Sequence, residues 1–287
     1  MNTIDYLFGS GATMRPAALA AVAVALLCGL LSPLVVLKRM AFIGQGVSHA
    51  AFGGIGVAAV LGLFSAGAMG SGTPLGAMAV ISAFCVASAL LIGSLSKRSG
   101  VSEDTAIGVL LVASMALGFL LLQVHRSRPG AEAISVENVL FGNVATTGPT
   151  QAWLAWIVLG VSVAVLVAMR RSLLFWAFDE PMAETLGVRV PLVRSVLMVL
   201  LAIAIVVTMQ LAGVILATAM LVLPGAAALQ FSKKLGAVLV LSVILSLLGV
   251  IAGLVISFET DWQPGPNIAL VYVGVFGLAR GWAVVRR

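Results

Sequence analysis

Long apolar runs separated by short polar breaks fill this chain from end to end. Each run holds about twenty residues, which at roughly 1.5 Å rise per residue crosses the roughly 30 Å hydrocarbon layer of a bilayer. The first spans Ala17 to Leu37 and stops at Lys38 and Arg39, and the second, Gly44 to Phe64, ends in the glycine- and serine-rich connector Ser65 to Thr73. Pro74 opens the third, which reaches Leu95 ahead of Lys97 and Arg98. The fourth, Thr105 to Leu122, is introduced by Ser102 as N-cap, with Glu103 and Asp104 in the first turn. Gln123 to Thr150 is the longest polar interval, within which Ile134 to Phe141 is apolar enough for a short interfacial or re-entrant helix. A fifth run, Ala152 to Met169, ends at Arg170 and Arg171. Val193 to Phe231 is too long for one crossing without extreme tilt, so it is expected to break near Met209 to Gly213, with Pro224 kinking its second half. Leu235 to Ile256 and Asn267 to Leu278 complete nine expected spans.

A lipid-facing backbone must satisfy its own hydrogen bonds, so every span is read as a helix, and the short alternating segments of a membrane barrel do not occur. The expected fold is all-α: a polytopic membrane protein of about nine transmembrane helices forming one domain over residues 1–287.

Composition agrees, since 61% hydrophobic and 9% charged residues lie far outside the range of a soluble globular domain. The net charge of +6 does not mark a nucleic-acid binder, because the basic residues sit in pairs at the ends of apolar runs. Nine spans with the N-terminus outside gather Lys38, Arg39, Lys97, Arg98, Arg170, Arg171, Arg189, Arg194, Lys233, Lys234, Arg280, Arg286 and Arg287 inside, and leave Arg15, Arg126 and Arg128 outside. That bias predicts a cell-membrane protein with a cytoplasmic C-terminus. The first run is too long for a signal-peptide core and is expected to stay as an anchor. Cys28 and Cys85 fall inside apolar runs without metal-type spacing and read as packing residues.

Candidate chemistry is sparse. Lys38 to Gly56, KRMAFIGQGVSHAAFGGIG, sets His49 among small and apolar residues, four positions after Gln45 and so on the same helix face. Gly46, Ala50, Gly53 and Gly54 leave little bulk there, so the face suits either an ion or another helix. Neutral imidazole suits zinc, iron or manganese, an amide oxygen is a weak uncharged ligand, and a lone histidine is more often a helix-to-helix hydrogen bond. Two copies meeting along the glycine-rich face would double the site to two histidines and two glutamines.

Phe178 to Gly187, FDEPMAETLG, reads as one short helix capped by Asp179 or Glu180, with Pro181 in its first turn and Gly187 at its end. It is either a docking knob, with Met182 and Leu186 as apolar anchors and Glu180 and Glu184 as rim charges, or a solvated connector. No Ser, His and Asp set, HExxH, paired intramembrane aspartates or GxxxxGK[ST] occurs, so no catalytic residue is assigned and the chain has no P-loop of its own.

Several blocks resemble, in order, the permease subunits of ATP-binding-cassette importers for zinc, manganese and iron: LKRMAFIGQGVSHAAFGGIGVA, SEDTAIGVL, VLFGN, FDEPMAETLGV, AGVILATAMLVLPGAAA and PGPNIAL. The resemblance implies a type II ABC importer-like permease that dimerises around a central pathway. Its implied partners are a separate cytoplasmic ATPase and an extracytoplasmic metal-binding protein, with the divalent metal as cargo and no permanently bound cofactor. Residues 178–187 match the coupling element that rests in a groove of the ATPase, which assigns Asp179, Glu180, Met182, Glu184, Leu186 and Gly187 to that contact. His49 matches the family's pathway ligand, whereas Gln45 stands where the family usually carries an aspartate; the amide lacks the negative charge that offsets a cation leaving water. His125, in the long outer loop, either helps to receive metal or is an ordinary exposed loop histidine, and the second is expected. The alternative, a stand-alone secondary transporter or channel, would place carboxylates within its spans, yet all ten acidic residues fall in loops or at span ends.

Overall fold

The structure is a computed structural model that describes residues 15–64, 73–98, 102–128, 142 and 147–285. Its elements are helices: α1 (Arg15–Leu37), α2 (Ala41–Val60), α3 (Leu75–Arg98), α4 (Glu103–Arg126), α5 (Pro149–Ala168), α6 (Arg170–Phe178), α7 (Glu180–Thr185), α8 (Val190–Phe231), α9 (Leu235–Thr260) and α10 (Pro264–Val285). Among the described residues, nine stretches are long and apolar enough to cross a membrane, with α8 supplying two of them, Val190–Leu211 and Gly213–Phe231. The expected helix at Ile134 to Phe141 lies outside the described residues.

The break in α8 falls at Gly213, with φ 74° and ψ 170°. That region of conformational space is open essentially to glycine alone. Pro224 lies inside the second half, and Gly213 is the position inside α8 with non-helical angles. Gly213→Val should destabilise the chain by about 1–3 kcal/mol, read as a lower thermal unfolding midpoint in detergent. Gly108→Ala, where an added methyl meets nothing within 4 Å, should not lower the midpoint and should raise it slightly.

In lipid there is little hydrophobic drive between helices, so packing rests on close approach and interhelical hydrogen bonds. Ser246 Oγ donates to the Ala25 carbonyl at 2.7 Å, Tyr272 Oη to the Ser246 carbonyl at 2.6 Å, and the Gly225 N–H to Ser32 Oγ at 2.8 Å. These bonds pin α1 against α8 and α9, with α10 behind α9. Cys28 and Cys85 are buried packing residues, as their setting predicted, with Cys28 Sγ 3.4 Å from Thr208 Oγ1. Helices α1 and α2 are the most enclosed spans, whereas α5 and α10 are peripheral.

Two ends of the bundle can be told apart by their polar contacts. At one, Lys38 pairs with Glu180 at 3.5 Å and Arg194 with Glu103 at 2.6 Å, which joins the α1–α2 turn, α7, and the starts of α4 and α8. At the other, Arg128 Nη1 donates to the Val60 carbonyl at 2.6 Å, so α2 and α4 finish side by side and run parallel. Ser102 caps α4 as expected, its Oγ accepting from the Thr105 N–H at 3.2 Å.

Candidate functional site

Helix α2 owes its position to glycine. A Cβ on Gly46 would come within 2.8 Å of Ile107, one on Gly54 within 2.9 Å of the Ile81 Cα, and one on Gly56 within 2.9 Å of the Gly118 carbonyl. Both α3 and α4 therefore lie against α2 at backbone contact, using the small-residue face that the sequence makes conspicuous. Gly46, Gly54 and Gly56 are thus already packed within the chain.

The start of that same face is different. Phe42 and Gln45 are exposed and His49 is half-buried, a short open stripe on a helix otherwise packed on all sides. The His49 ring lies parallel to Phe52, with centroids 6.4 Å apart, and Phe52 in turn lies 5.7 Å from Phe119 of α4. His49 Nδ1 is buried without a hydrogen-bond partner among the described residues. That nitrogen is thus not spent on a helix-to-helix hydrogen bond. Gln45 and His49 share one face, as their spacing predicted, with Ser48 Oγ donating to the Gln45 carbonyl at 2.9 Å. Among the described residues no three His, Cys, Asp or Glu side chains converge as a metal-holding group. One chain offers one imidazole and one amide here.

His125 is not an exposed loop residue. Helix α4 continues through it, and it is buried in the last turn with Nδ1 unpartnered. The polar residues Gln123 to Arg126 had marked the end of the apolar run, but the helix outlasts it by a turn.

The segment after α5 makes two short helices. In α6, Leu173 and Trp176 are buried while Leu174 and Phe175 are exposed. Helix α7 is capped by Asp179, whose Oδ1 accepts from the Met182 N–H at 3.0 Å, and Pro181 lies in its first turn. It ends in a Schellman motif: the Val188 N–H donates to the Ala183 carbonyl and the Gly187 N–H to the Glu184 carbonyl, both at 3.0 Å, with Gly187 at φ 78°. Ala183 is buried against the bundle, and Met182 (56%) and Leu186 (53%) point outward.

The two glutamates of α7 separate. Glu184 is exposed, but Glu180 turns back to Lys38, whose ammonium also lies 4.4 Å from the centre of the Trp176 ring. Glu180 therefore ties α7 to the turn before α2, where Arg39 adopts φ 55°. Sequence reasoning had placed both glutamates on the rim; partners 142 positions apart leave no local signal.

The model of the "ABC 3 transport family" matches residues 10–280. The chain belongs to the ABC 3 transport family. Among curated members of like sequence, the manganese transport system membrane protein MntC of Halalkalibacterium halodurans is 32% identical, over 97% of this chain and 91% of that protein. A probable metal transport system membrane protein of Thermotoga maritima is 35% identical, over 94% and 88%. A probable iron transport system membrane protein of Haemophilus influenzae is 30% identical, over 95% and 94%. Among solved structures, a chain of PsaBC from Streptococcus pneumoniae, in complex with Fab, superposes with a TM-score of 0.81 at 26% identity, covering 96% of this chain and 93% of that one. The resemblance carried by the motif blocks is borne out for family and fold: this is a multi-pass, all-helical ABC permease.

Proposed function

We propose that this ABC 3 permease is the membrane subunit of an importer that passes a divalent transition metal (manganese, iron or zinc) into the cytoplasm, energised by a separate ATPase. The observation that carries it is the near full-length match to membrane proteins named for manganese, iron and metal transport. An extracytoplasmic binding protein delivers the metal on this reading, and the end bearing α7 is cytoplasmic. The paired basic residues gathered at that end support the orientation.

His49 and Gln45 are the proposed ligands, presented on the open stripe of α2 to a pathway between two copies of the chain. The second copy faces Phe42, Gln45 and His49, the stretch of α2 left open within the chain. The two-fold axis then supplies two imidazoles and two amides. Helix α7 docks in the ATPase, and movement imposed on it reaches α2 through Glu180 and Lys38, seven residues before Gln45. The described acidic side chains lie at helix ends or in turns, which disfavours a secondary transporter that carries coupling ions on intramembrane carboxylates.

Uptake measured ion by ion in cells that depend on this chain tests the proposal. One of the three metals should be taken up saturably, and a hydrolysis-dead ATPase partner should abolish that uptake. Metal conduction by the isolated chain in vesicles without nucleotide would overturn it. A second test addresses the link to α2. Lys38→Glu and Glu180→Lys should each lower the metal moved per ATP hydrolysed by about two- to fivefold, matching a pair worth up to ~1 kcal/mol. The double swap should recover only part of the loss, because it puts a carboxylate over the Trp176 ring. Full coupling in either single variant would refute this route.

A further inference from the structure

Beside α7 lies a second feature, which borders the proposed docking contact at Leu186 and Gly187. A cleft of about 450 Å³ opens where α5 leaves the bundle and α8 enters it. Its polar lining includes Arg171, Ser172 and Arg189, and its apolar lining includes Phe175, Leu186 and Leu192. No acidic side chain lines it. Both arginines are exposed, and neither makes an ion pair among the described residues. Asp179 caps α7, Glu180 faces Lys38, and Glu184 is not among the residues that line the cleft.

The depth of this cleft is set by the chain. Arg171 follows the last residue of one span, Ala168, by three positions, and Arg189 immediately precedes Val190, the first residue of the next. Two guanidinium groups therefore sit at the level where a span emerges from the bilayer, with no carboxylate to neutralise them. Next to them Phe175 (46%) and Leu192 (55%) are exposed apolar side chains. A basic mouth above an apolar wall at headgroup depth is complementary to a phosphate joined to acyl chains, and guanidinium suits phosphate by its forked donors.

We propose that this cleft binds an anionic phospholipid of the cytoplasmic leaflet, with Arg171 and Arg189 on the phosphate and Phe175 and Leu192 along the acyl chains. The assignment rests on the cytoplasmic placement of the α7 end, but not on the identity of the cargo or on transport itself. The lipid holds the α6–α7 connector at the membrane surface and so fixes the height at which α7 is presented.

The test uses the full chain with its ATPase, delipidated and then titrated with phosphatidylglycerol or phosphatidylcholine, bound lipid being counted by native mass spectrometry. Phosphatidylglycerol should be retained in preference to phosphatidylcholine. Arg171→Gln with Arg189→Gln should weaken that retention by about thirtyfold, roughly fivefold per arginine. Lys233→Gln, a basic residue at the same end but outside the cleft, should leave it unchanged, and replacing both arginines by lysine should preserve most of it, which guards against a folding defect. Equal retention of the two lipids, or retention unaffected by the double glutamine variant, would overturn the proposal, as would displacement of the lipid by inorganic phosphate alone. Loss of the ATPase from the double variant with lipid retention intact would assign the cleft to the partner protein instead. Because lipid counting needs no turnover, failure of this site and failure of the transport proposal are read separately.

Discussion

Replacing His49 by alanine should cut metal uptake by on the order of a hundredfold, while the permease still assembles with its ATPase. The size follows from what is removed. Loss of even a group that only orients a metal ligand commonly costs about 10–100-fold in metal affinity, and the proposed two-fold arrangement loses both imidazoles at once. Assembly should survive because His49 holds nothing together. Its Nδ1 has no partner among the described residues, and its ring contact is a stack on Phe52 at 6.4 Å. Uptake at limiting metal that equals the unsubstituted protein would remove His49 from the pathway.

Gln45 makes the same experiment sharper. Two imidazoles and two amides are a neutral donor set, so a divalent cation leaving water meets no compensating charge. Such a set suits iron or zinc better than manganese, which prefers carboxylate oxygen. Gln45→Asp adds up to two negative charges on an exposed stripe where the side chain is free to turn. Manganese uptake should therefore rise relative to zinc, and an unchanged metal preference would place Gln45 outside the ligand set.

The spans were legible because an apolar run of sufficient length is a local property, and the reversal in α8 because Gln210 and Gly213 interrupt one. The Asp179 cap and the Gly187 stop of α7 were legible for the same reason: caps act within a turn. What a glycine faces is not local. The α2 glycines looked available to a second copy, and only the arrival of α3 and the parallel α4 shows that they are used within the chain. His125 was misplaced because polarity marks where the membrane ends, not where a helix ends. Lys38, Glu180 and Trp176 form a cluster drawn from three separate helical segments or turns, and no spacing rule connects them. The candidate ligands were found by type and spacing, but that Gln45 and His49 stay uncovered while the glycines beyond them are packed had to come from the structure.

That division of α7 into an inner and an outer side yields the second large effect. Met182→Asp combined with Glu184→Lys should weaken ATPase attachment by at least about thirtyfold, the cost of losing one buried interface anchor worth roughly 2 kcal/mol or more. Met182 is 56% exposed on a six-residue helix, an arrangement that leaves a flexible apolar side chain ready to fill a partner's pocket. Glu184 stands beside it without an ion-pair partner among the described residues, suited to steer encounter. Neither residue anchors α7 to its own bundle, where buried Ala183 and the Glu180–Lys38 pair do that work. The double variant should therefore fold and reach the membrane normally, yet fail to copurify with the ATPase. Glu180→Lys should behave in the opposite way, keeping the ATPase bound while less metal moves per ATP. If the two substitutions gave the same phenotype, α7 would be a single undivided contact, and the path from ATPase to α2 through Lys38 would have to be abandoned.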